Sequence, residues 1–375
     1  MVHKLLFLTP WYPDKILPHH GVFVRDQADA LSKEYEVVVI SSKVDYTSFK
    51  VCHWTIEESA FGSVKEYRLT VNRSLPLLNQ VIYLAVTIWI SYQIARRWKP
   101  DIVHGNIAFP GGVWAFVVSR LISRPFVVSD HTSRFRDNFR SVFHRLLTIF
   151  SLRRARKVIA VSTWAAREME SVIKRPVTVI PNLIHVGEYA VQSRDHRVVQ
   201  IGFLGGLSSA IHRKGLDVLL KSVASIRRDF VLHIGGSGTY LNSYKEMAQA
   251  CGVFNKCRFH GFVEYVPDFM RELDFFVSSS RIEAFGMVIV EAMASGLPVV
   301  STDSGGPADF IDGSCGLLVP TEDVEALGKA IEWMIENHKA FDGERIRLKA
   351  VNHFSASAFR RRISPLYQEV ALVSS

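Results

Sequence analysis

The chain has 375 residues and a mass of 42.4 kDa, which exceeds one ordinary hydrophobic core and predicts two domains. Hydrophobic residues make up 48% and charged residues 22%, a balance that excludes an intrinsically disordered chain. The net charge of +9 is concentrated in residues 1–190, which hold 25 Lys and Arg against 15 Asp and Glu. Such an excess predicts anionic partners and does not define a fold.

Strands and helices alternate along the first half of the chain. LLFLT is predicted as a strand, GVFVRDQADALSKE as a helix and EVVVIS as a second strand; later strands are DIVHG, PFVVSD, KVIAVS and VTVIP. The apolar run VIYLAVTIWISYQIA, residues 81–95, is shorter than the roughly 20 residues of a membrane span. It is therefore predicted to be a buried or interfacial helix.

The alternation restarts after the polar stretch VQSRDHR. The predicted strands are VVQIGFLGG, FVLHIGG, DFFVSS, LPVVST and GLLV, and GLDVLLKSVASI is a predicted helix. Continuous apolar runs of this kind are typical of parallel strands that are buried on both faces. Two successive sets predict two doubly wound α/β domains with a boundary near residues 186–196.

The compartment is predicted from the cysteines and the N-terminal segment. The four cysteines match neither a metal site nor a disulfide framework in their spacing, which favours a reduced, cytoplasmic protein. HKLLFLTPWYP reads as a strand that runs into a proline turn, without the cleavage site of a secretory signal.

Candidate functional residues follow the predicted strands, where doubly wound folds bind their ligands. They are Gly21, His131, Gly205–Lys214, Gly235–Gly238 and Glu283. Simpler explanations exist: the glycines can be plain turns, His131 a hydrogen-bonded loop residue and Lys214 a solvated helix start. The GGSG turn lacks the spacing of a nicotinamide-binding G-x-G-x-x-G. A lysine beside a glycine-rich turn is also a common way to bind phosphate.

One segment, RIEAFGMVIVEAMASGLPVVSTDSGGPADFI at residues 281–311, carries the most specific pattern. Glu291 stands in an apolar run, where a carboxylate is costly unless a ligand or a donor meets it; a surface helix with one polar position is the alternative. The segment resembles the signature of retaining glycosyltransferases of family four, with Glu283 and Glu291 as E-x7-E, then A-x-G-x-P-V-V and a GG turn. Weaker similarities cover WYP and GVFVRDQADAL near the start, SDH, IAVS, IPN, HRKG, GGSG and HGFV.

The resemblance implies a GT-B fold, an α/β architecture of two doubly wound Rossmann-like domains facing across a cleft. The expected domains are an acceptor-side domain at residues 1–188, a nucleotide-sugar-binding domain at 189–352, and a C-terminal helix at 353–375 that packs back on the first. The implied function is retaining transfer of a sugar from a UDP- or GDP-sugar to a glycan or lipid-linked glycan, in lipopolysaccharide or other surface polysaccharide synthesis. A sugar-nucleotide epimerase or other GT-B enzyme, and a non-catalytic nucleotide-binding protein, remain alternatives.

The resemblance also implies roles for individual residues. Glu291 would accept hydrogen bonds from the ribose hydroxyls, Glu283 would meet donor-sugar hydroxyls, and Lys214 would neutralise the leaving diphosphate. His131 would contact the sugar. The remaining expected donor contacts are the Gly21 turn, Gly238, the backbone near Val263, and the backbone N–H groups of Phe285, Gly286 and Met287.

No metal is expected, because the chain has no D-x-D motif at a plausible loop position and Lys214 with a helix N-terminus supplies the positive charge. The family usually has G-R-L where this chain has Gly205-Gly206-Leu207. The phosphate-contacting arginine is thus absent at Gly206, and Arg213 or Arg25 is the candidate replacement.

A basic segment gives the N-terminal half its charge. RFRDNFRSVFHRLLTIFSLRRARK, residues 134–157, has eight basic residues and one Asp, and phenylalanines and Leu146 recur in it at helical spacing. One interpretation is a core-facing stripe with a solvated face. The other is a helix that docks on anionic lipid at the inner face of the cell membrane. No nucleic-acid-binding motif accompanies the charge, so nucleic acid is not an expected partner.

Overall fold

The computed structural model describes residues 2–15, 17–45, 53–72, 79–133, 135–136, 139, 141–193, 195–208 and 213–372. The chain forms two compact units, here called unit 1 (Met1–Leu183 with Ala356–Ser375) and unit 2 (Ile184–Ser355). Each unit has its own parallel sheet and its own hydrophobic core, which confirms the predicted pair of doubly wound domains.

The described part of unit 1 before residue 184 contains eight strands and five α-helices. The strands are β1 (Lys4–Thr9), β2 (Glu36–Asp45), β3 (Trp54–Phe61), β4 (Val64–Asn72), β5 (Ile102–Asn106), β6 (Phe126–Asp130), β7 (Lys157–Ala160) and β8 (Thr178–Val179). The helices are α1 (Val22–Leu31), α2 (Asn79–Trp98), α3 (Gly111–Leu121), α4 (Val142–Arg154) and α5 (Thr163–Ile173). The strand order is β3-β4-β2-β1-β5-β6-β7-β8, and β3 runs antiparallel to β4.

Both faces of the unit 1 sheet are buried, as the continuous apolar strands predict. Side chains alternate along β1, so Leu6 and Leu8 enter one core cluster while Leu5 and Phe7 enter the other. All four are fully buried. Helices cover both faces, which is what a parallel sheet with helical crossovers requires.

Unit 2 has the same architecture with six strands. They are β9 (Val199–Leu204), β10 (Phe230–Gly235), β11 (Cys257–Gly261), β12 (Phe275–Ser278), β13 (Val299–Thr302) and β14 (Gly316–Val319), in the order β11-β10-β9-β12-β13-β14. Its helices are α6 (Leu216–Ala224), α7 (Leu241–Ala250), α8 (Val266–Arg271), α9 (Met287–Ala294), α10 (Val324–Asn337) and α11 (Gly343–Phe354).

The β3–β4 hairpin is the main element that the sequence does not predict. Every residue of β3 is exposed, so this edge strand lacks the apolar run that marks the others. Its pairing depends on a tight turn at Gly62, which has φ 57°. The pattern of β3 therefore resembles a polar loop.

The helix predicted over residues 81–95 is confirmed as α2. One face packs in the core through Ile90 and Ala95, while Val81 and Trp89 are exposed. In the part of the chain that the structure describes, no helix combines the length and apolarity needed to cross a membrane.

The last helix, α12 (Ala356–Leu372), belongs to unit 1. Its Phe359, Ile363 and Tyr367 join the core cluster that contains Leu5 and Phe7. The Tyr367 hydroxyl lies 2.7 Å from His104 Nδ1.

The His104 ring is satisfied on both sides inside the core. Its Nε2 lies 2.7 Å from the Ser129 hydroxyl, opposite the contact to Tyr367. Burial lowers the pKa of His104 to about 3, so the ring is neutral at physiological pH. A neutral imidazole has one donor and one acceptor nitrogen, and both have partners here.

Removal of the Tyr367 hydroxyl should therefore destabilise unit 1. Tyr367→Phe leaves a buried ring nitrogen without a partner, which costs about 1–3 kcal/mol of unfolding free energy. Urea denaturation followed by circular dichroism measures this loss. Ser364→Ala, on the solvent-accessible side of α12, is the control and should change stability by less than about 0.5 kcal/mol. Equal midpoints for the two variants would contradict the role of the hydrogen bond.

Candidate functional site

The candidate site of unit 2 lies where the strand order reverses. The chain passes from β9 to β10 and β11 on one side, and from β12 to β13 and β14 on the other. A crevice forms at the carboxyl ends of the two central strands of such a sheet. Lys214 is carried by the loop after β9, and Glu283 by the loop after β12.

These two residues meet directly. Lys214 Nζ lies 2.6 Å from Glu283 Oε2, and both side chains remain partly exposed, at 30% and 15%. The Ser280 hydroxyl lies 3.5 Å from the same carboxylate oxygen. The structure thus brings together a cation and a carboxylate from two loops that are 69 residues apart.

Lys214 is held in place by a close backbone approach. The following residue, Gly215, has φ 66°, and a Cβ there would lie 1.8 Å from the Ser279 carbonyl oxygen. The Lys214 stem itself lies against Gly205, where a Cβ would come within 2.9 Å of Lys214 Cγ. Both glycines are needed because backbone or side chain occupies the space of a larger residue.

Arg281 links the two loops, a role that sequence analysis did not predict. Its guanidinium makes two hydrogen bonds of 2.8 Å to Asp217 in the first turn of α6, and it also pairs with Glu322. Its backbone N–H donates to the Arg213 carbonyl at 2.9 Å. The hydrogen bonds to Asp217, ahead of the pair with Glu322, raise the pKa of Arg281 above its usual range.

The N-terminus of α9 has no side-chain cap among the described residues. Gly286 is its N-cap residue with φ 97°, and the helix begins at Met287. Beside it, the GG turn braces the Glu283 loop: Glu283 N–H donates to Ser304 O, and Gly306 N–H donates to Glu283 O, each at 2.9 Å. Uncapped amides and the helix dipole make this end suited to an anion.

Glu291 lies on α9 and accepts a hydrogen bond from Tyr189. Burial, together with the Glu291 charge, raises the pKa of the Tyr189 hydroxyl above its usual range. Glu291 is half-buried, and therefore less enclosed than its place in an apolar run of sequence predicts. Tyr189 was missed because it lies far from the motif in sequence.

Two glycine turns pack backbone to backbone at the ends of β9 and β10. Gly236 and Gly238 have φ 139° and 153°, and a Cβ at either would come within 2.3 Å of the loop at residues 205–207. Leu207 N–H donates to Ser237 O at 2.9 Å. The Val263 side chain packs on Gly235, which places the HGFV segment beside these turns.

Gly206 and the two candidate replacements for the missing arginine lie in different surroundings. Arg213 is exposed beside Lys214, whereas Arg25 belongs to unit 1 and its guanidinium lies 4.5 Å from the centre of the Phe61 ring. Gly206 is exposed, its φ is not in the left-handed region, and no atom of the described residues lies within 4 Å of a Cβ built there. Within the part of the chain that the structure describes, neither space nor backbone conformation requires a glycine at position 206.

In unit 1, Gly21 begins α1 at the carboxyl end of β1. It has φ 74°, and a Cβ would lie 2.4 Å from the Trp11 carbonyl carbon and oxygen. The turn therefore accepts only glycine, and it brings WYP against the start of α1. No side chain caps this helix start.

His131 follows β6 and is buried. Its Nδ1 lies 3.0 Å from Asn182 Oδ1, an oxygen that also accepts from Gln27 Nε2, so Nδ1 carries the proton. Burial lowers the pKa of His131 to about 4, with the Asn182 hydrogen bond acting in the opposite direction. The preceding Asp130 accepts from Ala108 N–H and from Thr132, which fixes the turn. His131 is thus a neutral, oriented hydrogen-bonding group.

A cavity of about 390 Å³ opens in unit 1 beside the ends of β1 and β2, and sequence analysis did not identify it. Two ion pairs stand at its wall: Asp14 with Lys43 at 2.6 Å, and Arg68 with the buried Glu66 at 2.7 Å. Tyr12 of WYP donates to Glu66 at 2.6 Å. Lys15 and Glu57 also line the cavity, so the wall carries charged groups of both signs.

Comparisons with known proteins agree for both units. Residues 20–188 match the family described as Glycosyltransferase Family 4, and residues 201–349 match Glycosyl transferases group 1. The lipopolysaccharide core biosynthesis glycosyltransferase LpsE of Rhizobium meliloti is 30% identical over 65% of this chain and 68% of its own length. A phosphatidyl-myo-inositol mannosyltransferase of Mycobacterium leprae is 28% identical over 84% and 86%. The solved structure of Anabaena HepE in complex with UDP matches with a TM-score of 0.76 at 20% identity, covering 98% of this chain and 100% of HepE.

Two doubly wound units of this kind, with matching solved structures, define the GT-B class. The chain belongs to glycosyltransferase family four, as the resemblance of its E-x7-E segment implies. It is an enzyme that transfers a sugar from a nucleotide donor. The epimerase and non-catalytic alternatives are not favoured by these relatives.

An arginine restored at position 206 should strengthen nucleotide binding. The open space at Gly206 accepts the side chain, and one charge-assisted hydrogen bond to phosphate contributes about 1.5–3 kcal/mol, roughly tenfold or more in Kd. Calorimetry with UDP and GDP compares Gly206→Arg with the control Gly206→Ala, which should bind like the native protein. If both variants bind alike, position 206 does not face the phosphates.

Proposed function

We propose that this enzyme transfers a sugar, with retention at the anomeric carbon, from a UDP- or GDP-sugar to a hydroxyl of a lipid-linked or free glycan in surface polysaccharide synthesis. The contact between Lys214 and Glu283 at the switch point carries the proposal, because it places a cation suited to phosphate beside a carboxylate suited to sugar hydroxyls. The named lipopolysaccharide relative supports the pathway class.

Unit 2 binds the donor in this proposal. Glu291, oriented by Tyr189, accepts hydrogen bonds from the ribose hydroxyls. The Gly236–Gly238 turn and the α9 N-terminus allow a diphosphate to approach backbone N–H groups closely. The backbone near Val263 contacts the base, because it lies beside the glycine turn at the end of β10.

The transfer step uses the charge of Lys214. The bond between the anomeric carbon and the diphosphate oxygen breaks, and the acceptor oxygen bonds to that carbon on the same face. The acceptor proton passes to the departing diphosphate oxygen. Lys214 turns from Glu283 toward the diphosphate as its negative charge grows, and Glu283 then accepts from donor-sugar hydroxyls. This scheme assigns the positive charge to Lys214 and α9, and it needs no metal ion.

Lys214→Ala should lower kcat more than it raises the donor KM, because the lysine acts mainly on charge that develops in the transition state. Loss of one such group reduces kcat by about 10²–10³-fold in comparable sites. Initial rates of sugar release from UDP- and GDP-sugars, with and without acceptor, give both parameters.

Lys221→Ala is the matched control, because Lys221 is an exposed lysine in the last turn of α6, at the opposite end of the helix that follows Lys214. It should leave both parameters within about twofold, the range of surface substitutions. A Lys214→Ala enzyme with normal kcat and a raised KM would show that the lysine only binds the ground state.

Unit 1 binds the acceptor in this proposal. The cavity near Tyr12 offers polar groups, and its Asp14, Lys43 and Arg68 are engaged in ion pairs, which suits a neutral glycan. His131 is held neutral and oriented at the same edge of the sheet, so it can donate to or accept from a sugar hydroxyl without a change of protonation.

The basic segment supports a peripheral position at the inner face of the cell membrane. On α4, Val142, Phe143 and Leu146 are 74%, 60% and 62% exposed, which favours the membrane-docking interpretation for this part of the stripe. Phe135 and Phe139, in contrast, pack in the core, as the alternative interpretation expects.

The basic residues of this segment also differ in whether they are exposed or paired. Arg145 is exposed, whereas Lys157 pairs with Glu369 of α12 at 2.7 Å, a partner outside the segment. Arg134 and Arg140 lie outside the described residues. The docking surface is therefore defined by Phe143, Leu146 and Arg145, and it is called the α4 face below.

The α4 face should bind anionic vesicles through both charge and apolar contact. Co-sedimentation with phosphatidylglycerol vesicles should be clear at low salt, weak at high salt and small on phosphatidylcholine. Arg145→Glu combined with Phe143→Ser and Leu146→Ser should release the protein and leave UDP binding intact. Leu348→Ser, at an exposed leucine of α11, is the control. Binding that ignores salt and these substitutions would leave a soluble acceptor as the better proposal.

A further inference from the structure

An arginine-rich cleft opens at the amino-terminal edge of the unit 1 sheet. It has a volume of about 910 Å³ and is formed where α3 and α4 end and β6 begins. Six arginines line it: Arg120, Arg124, Arg153, Arg154, Arg156 and Arg175. Among the described residues that line the cleft, none is acidic.

The cleft is distinct from the candidate substrate-binding edge. Phe126 begins β6 and lines the cleft, whereas His131 follows the other end of the same strand. A five-residue strand spans roughly 13 Å at about 3.3 Å per residue, so the two regions lie at opposite edges of the sheet. The cleft arginines are therefore not part of the proposed acceptor site.

Helix capping accounts for part of this cluster. Arg175 donates to four carbonyl groups at the end of α4, at 2.6–3.2 Å. Burial lowers the pKa of its guanidinium. Capping of this kind satisfies C-terminal carbonyls and matches the helix dipole. Arg153 acts similarly on α5, because its Nε donates to the carbonyl of Ile173, the last residue of that helix. Capping leaves the convergence of Arg120 and Arg124 on the cleft unexplained.

Several of these guanidinium groups are held in place without a ligand. Arg153 Nε donates to Ile173 O at 3.0 Å, and the Arg154 guanidinium lies over the Phe150 ring at 3.4 Å. Fixed cations lose less conformational entropy when an anion binds. The guanidinium groups around the cleft repel one another, because no described lining residue supplies a carboxylate between them. A bound anion would reduce that repulsion.

The cleft adjoins the α4 face. Phe150 lies on α4, is 44% exposed, and contacts Phe116 of the cleft wall with ring centres 5.4 Å apart. Apolar side chains and guanidinium groups thus form one continuous surface. Such a surface matches a lipid, which has acyl chains next to its phosphate.

We propose that this cleft binds the phosphate monoester of an anionic lipid headgroup, and the proposal rests on the membrane docking of the α4 face. A phosphate monoester carries more than one negative charge near pH 7 and three acceptor oxygens, which several guanidinium groups can bind together. A phosphodiester offers fewer free oxygens and one charge. The cleft therefore selects the monoester.

Charge-conserving substitutions separate a built site from diffuse attraction. Arg120→Lys with Arg124→Lys keeps the net charge but removes two planar, bidentate donors. The measurement is co-sedimentation with vesicles that contain phosphatidic acid or phosphatidylglycerol, adjusted to equal surface potential. The native protein should bind the phosphatidic acid vesicles about tenfold more tightly, and the double variant should lose this preference while it still binds phosphatidylglycerol.

The matched control is Arg97→Lys with Arg167→Lys, two exposed arginines on α2 and α5 outside the cleft, which should keep the preference. Equal binding of both vesicle types by the native protein would overturn the proposal. So would a preference that survives Arg120→Lys with Arg124→Lys.

A vesicle-free measurement separates this proposal from membrane docking. Glycerol 3-phosphate should raise the melting temperature of the native protein, and not of the double lysine variant, at constant ionic strength. If this shift occurs but no anionic vesicle binds, the proposal that the α4 face docks on membranes is wrong. The cleft would then bind a soluble phosphate ester, and the lipid would be overturned as its ligand. If vesicles bind through the α4 face without headgroup preference or thermal shift, docking stands and the cleft proposal fails.

Discussion

The 2.6 Å contact between Lys214 and Glu283 is the constraint around which unit 2 is organised. Two long loops must bring opposite charges together at the carboxyl ends of β9 and β12, and this is possible only with very close backbone packing. Gly215 supplies that packing against Ser279, and Arg281 ties both loops to Asp217. The pair compensates both charges, and in the proposed mechanism a nucleotide sugar separates it by offering its diphosphate to Lys214 and its hydroxyls to Glu283.

The sequence predicts the parts of this arrangement that are local. Buried parallel strands such as β1 and β13 are continuous apolar runs, and glycines such as Gly21 and Gly215 mark turns whose positive φ and close backbone contacts require them. Tyr189 and Arg281 could not be predicted, because their partners Glu291 and Asp217 are distant in sequence and no spacing rule relates them. The exposed strand β3 was missed for a different reason: pairing at an edge leaves no apolar pattern.

The basic segment at residues 134–157 also shows what sequence alone cannot predict. Helical spacing identified a stripe of aromatic and aliphatic residues, but spacing cannot tell which of them face a core. Tertiary packing decides: Phe135 and Phe139 enter the core of unit 1, while Phe143 and Leu146 stay exposed. The cleft arginines come from α3, α4 and the loops after α3, α4 and α5, so the basic segment at residues 134–157 contains only three of the six.

The two edges of the unit 1 sheet differ in how charge is compensated. At the carboxyl edge, Asp14 pairs with Lys43 and Arg68 with Glu66, and burial keeps His131 neutral. A neutral sugar hydroxyl can exchange hydrogen bonds with such groups without leaving a charge unpaired. At the amino edge, the described residues that line the arginine-rich cleft include no carboxylate, so a neutral ligand would leave the repulsion between the guanidinium groups unchanged, whereas a phosphate would relieve it. The two proposed ligands, a glycan hydroxyl and a phosphate monoester, therefore match opposite edges of the sheet for electrostatic reasons.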